Sequence, residues 1–384
     1  MGEADPQAAA VAGQVNVPAD PLARRYEKEL RARHFRSDPA QLAVLARLSE
    51  LRACLIATTP AGGRQARALF GTLLRRGRWQ PERGLYLWGA VGRGKTWLMD
   101  LFYESLPVAA RRRHFHRFMH DVHAELARLK RQRAPLEHVA AAIAREARVL
   151  CFDELFVADI ADAMILGGLF EGLLRRGVTL VATSNVPPRE LYRDGLQRQR
   201  FLPVITLLER HLDVIELAGG CDHRLRQLTE AGVYLRSGLA DTGARLDALF
   251  QELGGAGAQH GGSIEIEGRA IPVLRAAHGV LWCSCDVLCG SARSQNDYIE
   301  IAREYQSVLV SDVPLFDDLH EDEARRFIAL IDELYDRNVN LVVSAAASPA
   351  ELYRGTTLKT LIARTVSRLT EMQSEEYLAR EHRP

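Results

Sequence analysis

The sequence predicts an α/β protein built on a parallel sheet, and three observations carry that expectation. Short apolar runs alternate with amphipathic stretches of helical length, the rhythm of strand–helix–strand crossovers. A glycine-rich segment, Gly89-Ala-Val-Gly-Arg-Gly-Lys-Thr96, stands between one such strand and the helix after it. Further on, the apolar run Val149-Leu-Cys-Phe leads straight into two carboxylates, Asp153 and Glu154.

The elements follow in order. Residues 1–20, rich in Ala, Val, Gly and Pro, read as a disordered tail. From Pro21 to about Leu55 the pattern is helical, with Asp38 placed to cap a helix that has Pro39 at its first position. After the loop Thr58–Gly63 a short helix is expected to run through Leu74. Strand Gly84–Trp88 and helix Thr96–Leu106 come next, then a strand His114–Phe118 and a helix to about Arg131. Helix Leu136–Ala147, strand Arg148–Phe152, helix Ile160–Arg176 and strand Val178–Thr183 complete the alternation. These define a nucleotide-binding core over 21–217 that includes the N-terminal helical segment. Residues 218–384 form a C-terminal α/β half, in which Ser263–Leu274 reads as a hairpin turning at Glu267–Gly268.

That second half echoes the first. Val178–Gly195 and Val339–Thr356 share a pattern at constant offset, and Val149–Leu155 is echoed by Val308–Pro314, which sets Asp312 opposite Asp153 and Val313 opposite Glu154. Convergence of buried strands and a degenerate duplication both account for this. In either case the second copy has no glycine–lysine loop, which suggests a lid or docking region that holds no nucleotide.

Composition narrows the class. The chain has 384 residues, 47% apolar and 26% charged, with a formal charge of +1, an ordinary globular balance without a global field for nucleic acid or membrane. Six irregularly spaced cysteines do not make a disulfide framework, and Cys283, Cys285 and Cys289 read as buried thiols. The start lacks the basic and apolar regions of a secretory signal, and no apolar run reaches the roughly 18 residues of a spanning helix. A cytoplasmic protein is expected.

The chemistry sits in the motifs. Gly89–Thr96 fits G-x-x-x-x-G-K-[ST] in its strand–helix setting, so Gly89, Ala90, Val91, Gly92, Arg93 and Gly94 would turn backbone N–H groups onto phosphate oxygens. Lys95 would reach the outer phosphates, and the Thr96 hydroxyl would ligate Mg²⁺. Lysine occurs only at 28, 95, 130 and 359, the other basic side chains being arginine, so its use at 95 is pointed: a phosphate loop wants a compact charge. Asp153 would hold Mg²⁺ and Glu154 would act as general base on the attacking water. Asn185, ending the next strand, could orient that water or simply form a turn. Arg198 and Arg200 are candidate arginine fingers for a neighbouring subunit or plain surface residues, and the sequence does not choose. The segment Arg111–Arg133 carries eight Arg/Lys and four histidines against two acids, a patch for an acidic partner or a solvated face. Without an N-K-x-D signature for guanine, ATP is the expected nucleotide.

These blocks, in this order, resemble the ZapE cell-division ATPase family and its mitochondrial relatives, the lactation-elevated ATPases, a branch of the AAA+ class. The resemblance runs from about Tyr26 to the C-terminus. It implies an AAA+ phosphate-loop core, ATP hydrolysis with Mg²⁺, ATP-dependent ring assembly and action on a protein partner, for bacterial members the FtsZ polymer. It carries over Lys95, Thr96, Asp153, Glu154 and Asn185, leaves the finger as Arg198 or Arg200, and offers Arg364 or Arg368 as a γ-phosphate sensor. A nucleic-acid-associated ATPase of the helicase-loader kind, working through Arg111–Arg133, is the alternative.

Overall fold

Two helices open the chain, α1 (Pro21–Ala32) and α2 (Pro39–Ala57), and the Asp38 carboxylate caps the second by accepting from the Ala40 amide at 2.8 Å. The computed structural model describes residues 21–32, 37–58, 80–90, 92–218, 223–254, 259–266, 268–277 and 279–383. The expected tail over 1–20, the short helix ending at Leu74, Val91 and Glu267 of the hairpin turn lie outside the described residues.

The first half continues as β1 (Gly84–Trp88), α3 (Lys95–Ser105), β2 (Ala110–His114), α4 (Phe115–Arg128), α5 (Pro135–Glu146), β3 (Val149–Asp153), α6 (Ile160–Leu174), β4 (Thr179–Ser184), α7 (Leu202–His211) and β5 (Leu212–Glu216). The five strands form one parallel sheet in the order β2-β3-β4-β1-β5. Parallel strands need crossover helices, so both faces are covered and alternate residues enter different cores. Leu85, Leu87, Val149, Cys151 and Val181 pack with α1, α2 and α3, while Tyr86, Leu150, Phe152, Leu180 and Ala182 pack with α4, α5, α6 and α7.

One strand is displaced from its sequence expectation. The strand placed at His114–Phe118 is Ala110–His114, and α4 begins at Phe115. At the edge of the sheet among the described residues, β2 pairs with β3 and tolerates Arg111, Arg112 and Arg113. The apolar residues after it, Phe115, Phe118, Met119 and Val122, recur at helical spacing and are the buried stripe of α4. His116 therefore belongs to a helix and shares no strand face with His114.

The second half comprises α8 (His223–Ala231), β6 (Tyr234–Arg236), α9 (Thr242–Gly254), β7 (Gln259–His260), β8 (Ser263–Ile266), β9 (Arg269–Pro272), β10 (Arg275–Ala277), β11 (Val280–Ser284), α10 (Gln295–Glu304), β12 (Ser307–Val313), α11 (Glu321–Asp336), β13 (Asn340–Ala345), α12 (Lys359–Glu371) and α13 (Glu375–Leu378). Its sheet runs β6-β13-β12-β11-β10-β7, parallel from β6 to β11 and antiparallel beyond, with β8 and β9 as a separate hairpin. Cys283, Cys285 and Cys289 are buried free thiols in its core.

The backbone at the ends of β3 and β12 is alike, in a register one residue from the one the sequence suggests. Glu154 adopts φ 53° and donates its amide to Thr183 Oγ1 at 3.2 Å; Asp312 adopts φ 60° and donates its amide to Ser344 Oγ at 2.9 Å. Asp312 thus stands where Glu154 stands, not where Asp153 does. The slip is present from the first pair: Val149 lies beside Thr179 as Ser307 lies beside Asn340, so it is Ser307, not Val308, that matches Val149.

Candidate active site

The phosphate loop joins β1 to α3. Gly94 caps α3 at φ 88°, and a Cβ there would come within 2.8 Å of Gln41 Nε2, so only glycine fits. Gln41, buried on α2, donates to the Arg93 carbonyl at 3.0 Å and accepts from the Tyr26 hydroxyl at 3.0 Å, while Tyr26 stacks on Trp97 at 5.0 Å. The N-terminal helices therefore brace the loop from behind. Lys95 is 8% exposed and donates from Nζ to the carbonyls of Gly89 (2.7 Å) and Ala90 (2.8 Å). Arg93 Nη1 is buried without a hydrogen-bond partner among the described residues. A buried cation held by loop carbonyls, an unsatisfied guanidinium nitrogen and the amino end of an eleven-residue helix suit a polyphosphate.

At the tip of β3, Asp153 is 1% exposed and takes a fork from Arg112 of β2, Nε to Oδ2 at 2.6 Å and Nη2 to Oδ1 at 3.0 Å. Arg112 also pairs with Asp100 of α3. Burial disfavours the guanidinium charge, but the two carboxylates outweigh it and hold its pKa above the ordinary arginine value. A carboxylate oxygen accepts more than one bond, so the Arg112 fork does not by itself bar Asp153 from a cation. Thr96 and Asp153 face one small cavity of about 80 Å³, so a hard cation would find oxygen donors there.

Glu154 follows on its left-handed turn, a conformation unusual for a side chain with a Cβ. The turn is fixed from β4: Thr183 receives the Glu154 amide at Oγ1 and the Leu155 amide at its carbonyl (2.7 Å), and the Ser184 hydroxyl donates to the Leu155 carbonyl (2.8 Å). Asn185, the next residue, lines a cavity of about 650 Å³ together with Glu154. Lys95, Thr96, Asp153, Glu154 and Asn185 are thereby gathered along one edge of the sheet, at the carboxyl ends of β1, β3 and β4.

The second half supplies the opposite wall. Arg224, Gly279, Gln306 and Ser307 share the small cavity with Thr96 and Asp153, while Asn338, Arg380 and His382 share the larger one with Glu154 and Asn185. Arg364 and Arg368 are elsewhere. Both pair with Asp332 of α11, Arg368 at 2.7 Å and also with Asp336 at 3.2 Å, and Arg368 lies over the Tyr335 ring at 4.6 Å. They fasten α12 to α11, so the expectation that one of them touches the site is withdrawn.

The two finger candidates differ. Arg198 donates to the carbonyls of Tyr192 (3.2 Å) and Arg189 (2.5 Å), bracing its own turn, whereas Arg200 is exposed. Much of the basic segment is spent internally: Arg111 pairs with Glu146 (2.7 Å), Arg112 with Asp153, Arg117 with Glu304 (3.0 Å) and Arg128 with Glu125 (3.3 Å).

Three side chains were missed by the sequence reading. Gln41 carried a signal, a polar residue on the buried stripe of α2; Arg112 needed the true register of β2; His382 had none, because only the tertiary fold brings the last residues to the site.

The AFG1-like ATPase family model matches residues 21–381. The chain belongs to that family. Within it, the chain is 48% identical over 368 residues to the cell division protein ZapE of Escherichia coli K12, covering 93% of this chain and 97% of the relative. It is 38% identical over 346 residues to lactation elevated protein 1 homolog B of Danio rerio, covering 77% and 68%. Among solved structures, AMPPCP-bound DnaA of Aquifex aeolicus is similar at 15% identity and a TM-score of 0.33 over 56% of each chain, too slight a likeness to build on. The five-stranded parallel sheet, with its glycine-rich loop after β1, is the α/β architecture expected from the sequence. Among the described residues, no helix is long and apolar enough to cross a membrane.

Proposed function

We propose that this chain hydrolyses ATP to ADP and phosphate and uses the cycle to remodel a protein assembly in cell division, with the FtsZ polymer as that assembly and the cytoplasm as its compartment. The observation that carries the reading is the gathering of Thr96, Asp153, Glu154 and Asn185 along the sheet edge beside a buried loop lysine. In this mechanism the loop amides of Gly89–Gly94 hold the phosphates, and Lys95 exchanges its carbonyl partners for phosphate oxygens. Thr96 and Asp153 would hold Mg²⁺, which when bound would neutralise phosphate charge. Glu154 takes the proton from the attacking water, and Asn185 orients that water between the carboxylate and the terminal phosphate. Arg200, exposed where Arg198 is tied down, is the finger offered to a neighbouring subunit, so the protein assembles when ATP is bound. The core over 21–217 performs the chemistry. Residues 218–384 act as a lid and docking region that binds no nucleotide of its own.

Calorimetric titration beside a phosphate-release assay tests this. Lys95→Ala should lose ATP binding, whereas Glu154→Gln should bind and fail to turn over. Robust hydrolysis by Glu154→Gln would remove the assigned base. A second saturable ATP site in Lys95→Ala would overturn the role given to the second half. FtsZ polymers should shorten with the wild-type protein and ATP and stay intact with Glu154→Gln.

A further inference from the structure

The last residues of the chain are fastened to the second half and reach across to the first. Asn338 donates from Nδ2 to the Glu381 carbonyl at 2.8 Å, and the Arg383 amide donates to the Arg337 carbonyl at 2.9 Å, so the backbone is held on both sides of His382. The imidazole is 4% exposed, and its Nε2 lies 2.7 Å from the Ala302 carbonyl oxygen on α10. A carbonyl only accepts, so the hydrogen on the ring sits at Nε2. Nδ1 is then the ring atom left over. It is buried, has no hydrogen-bond partner among the described residues, and stands 3.7 Å from Glu154 Oε2.

A buried nitrogen without a partner is unfavourable and asks for a reason. The reason on view is the carboxylate in front of it. Glu154 projects from a left-handed turn that fixes its backbone, and its side chain borders a cavity of about 650 Å³ that leaves it room to turn. His382 is part of the wall that limits this turning. The gap is longer than a hydrogen bond, as catalytic contacts often are before substrate binds. Two lone pairs face each other across it while the ring carries hydrogen on Nε2 alone. Only a ring that also carries a proton on Nδ1 donates when a small rotation of the carboxylate closes the distance. With a proton on Nδ1 the ring would present a charged donor to that oxygen.

We propose that His382 is a positioning residue: held by the second half, it sets the direction of the Glu154 carboxylate, so that the base is aimed only while the two halves are docked. The proposal rests on the reading of Glu154 as the general base. It makes the second half part of the hydrolytic machinery through one side chain, and a partner that levers this half away would withdraw the imidazole and slow the reaction.

Steady-state ATP hydrolysis by the full-length chain tests it, using His382→Ala, His382→Asn and His382→Gln beside Glu154→Gln, with melting temperatures recorded for all. The expected result for His382→Ala is a kcat lowered between about tenfold and a hundredfold, with the KM for ATP changed by less than about twofold. The two conservative forms separate positioning from anchoring. The Asn amide stands where Nδ1 stands and can donate to Glu154, whereas the Gln amide stands where Nε2 stands and can only keep the bond to Ala302. Better turnover by His382→Asn than by His382→Gln is expected. An unchanged kcat in His382→Ala, equal rates in the Asn and Gln forms, or recovery by Gln alone would each overturn the proposal, the last reducing the residue to a tail anchor. Should His382→Ala fail to fold, the Asn and Gln forms decide. An active Glu154→Gln removes the base assignment itself, whereas an inactive Glu154→Gln beside a normal His382→Ala removes only the role of His382.

Discussion

At the tips of β3 and β12 the backbone performs the same manoeuvre. Glu154, just past the end of β3, and Asp312, one residue before the end of β12, are acidic residues with positive φ, 53° and 60°. Each donates its amide to a hydroxyl on the neighbouring strand, Thr183 in one case and Ser344 in the other. The surroundings then diverge. Glu154 is half-buried beside the phosphate loop and Asn185, while Asp312 is exposed and the residue at the place of Asn185 is Ala346. Asp153, just before Glu154, is buried against Arg112; Asp312 makes no ion pair among the described residues. The turn is therefore shared by these two strand ends whatever surrounds them. Chemistry is added by what the neighbouring loop and strand place around it.

Exchanging the acids for amides tests that distinction most severely. Glu154→Gln should lower ATP turnover by about 10²–10⁴, the range of a lost general base, while Asp312→Asn should leave it within about twofold. Comparable losses in both would mean that the second tip also serves hydrolysis. The next effect is on stability. Arg112→Met strands the Asp153 carboxylate in the interior and should cost about 3 kcal/mol in denaturant unfolding, with Arg112→Met/Asp153→Asn recovering much of it. A smaller pair of changes addresses the shared turn: Thr183→Val and Ser344→Ala each leave a strained amide without its acceptor and should cost about 1–2 kcal/mol by the same measurement. If only Thr183→Val matters, the resemblance of the two tips is superficial. Last, Arg198→Ala should cost about 1 kcal/mol by freeing the Tyr192 and Arg189 carbonyls, whereas Arg200→Ala should leave unfolding unchanged and impair hydrolysis only at concentrations where subunits associate. Light scattering with a slowly hydrolysed ATP analogue reports that association.

Much of this was legible in the sequence, for local reasons. The loop glycines, Lys95 and Thr96 sit in one contiguous segment between a strand and a helix, and Asp153 and Glu154 end an apolar run, so adjacency along the chain declared them. Strand β2 was misplaced because an edge strand can be written in arginine, while the aromatic residues beyond it look extended until their spacing is counted. Arg112 was hidden by that slip. The mismatch of Asp312 arose because the Val-Leu and Asp residues of the two strands align by type one position away from where strand pairing sets them, with Ser307 rather than Val308 matching Val149. His382 lies more than two hundred positions from Glu154 in the numbering, and nothing short of the docking of two sheets connects them.

The chain Tyr26–Gln41–Arg93 has a consequence for how this protein can be cut. A fragment beginning after α2 would contain every residue of the phosphate-binding motif and both acids of β3, yet its loop would have lost the amide that holds the Arg93 carbonyl and the ring that covers Trp97. Such a fragment would expose Leu98, Met99 and Phe102, which now pack beneath α1 and α2. The smallest nucleotide-holding unit of this chain therefore starts at its first helix, well upstream of the motif that names its chemistry.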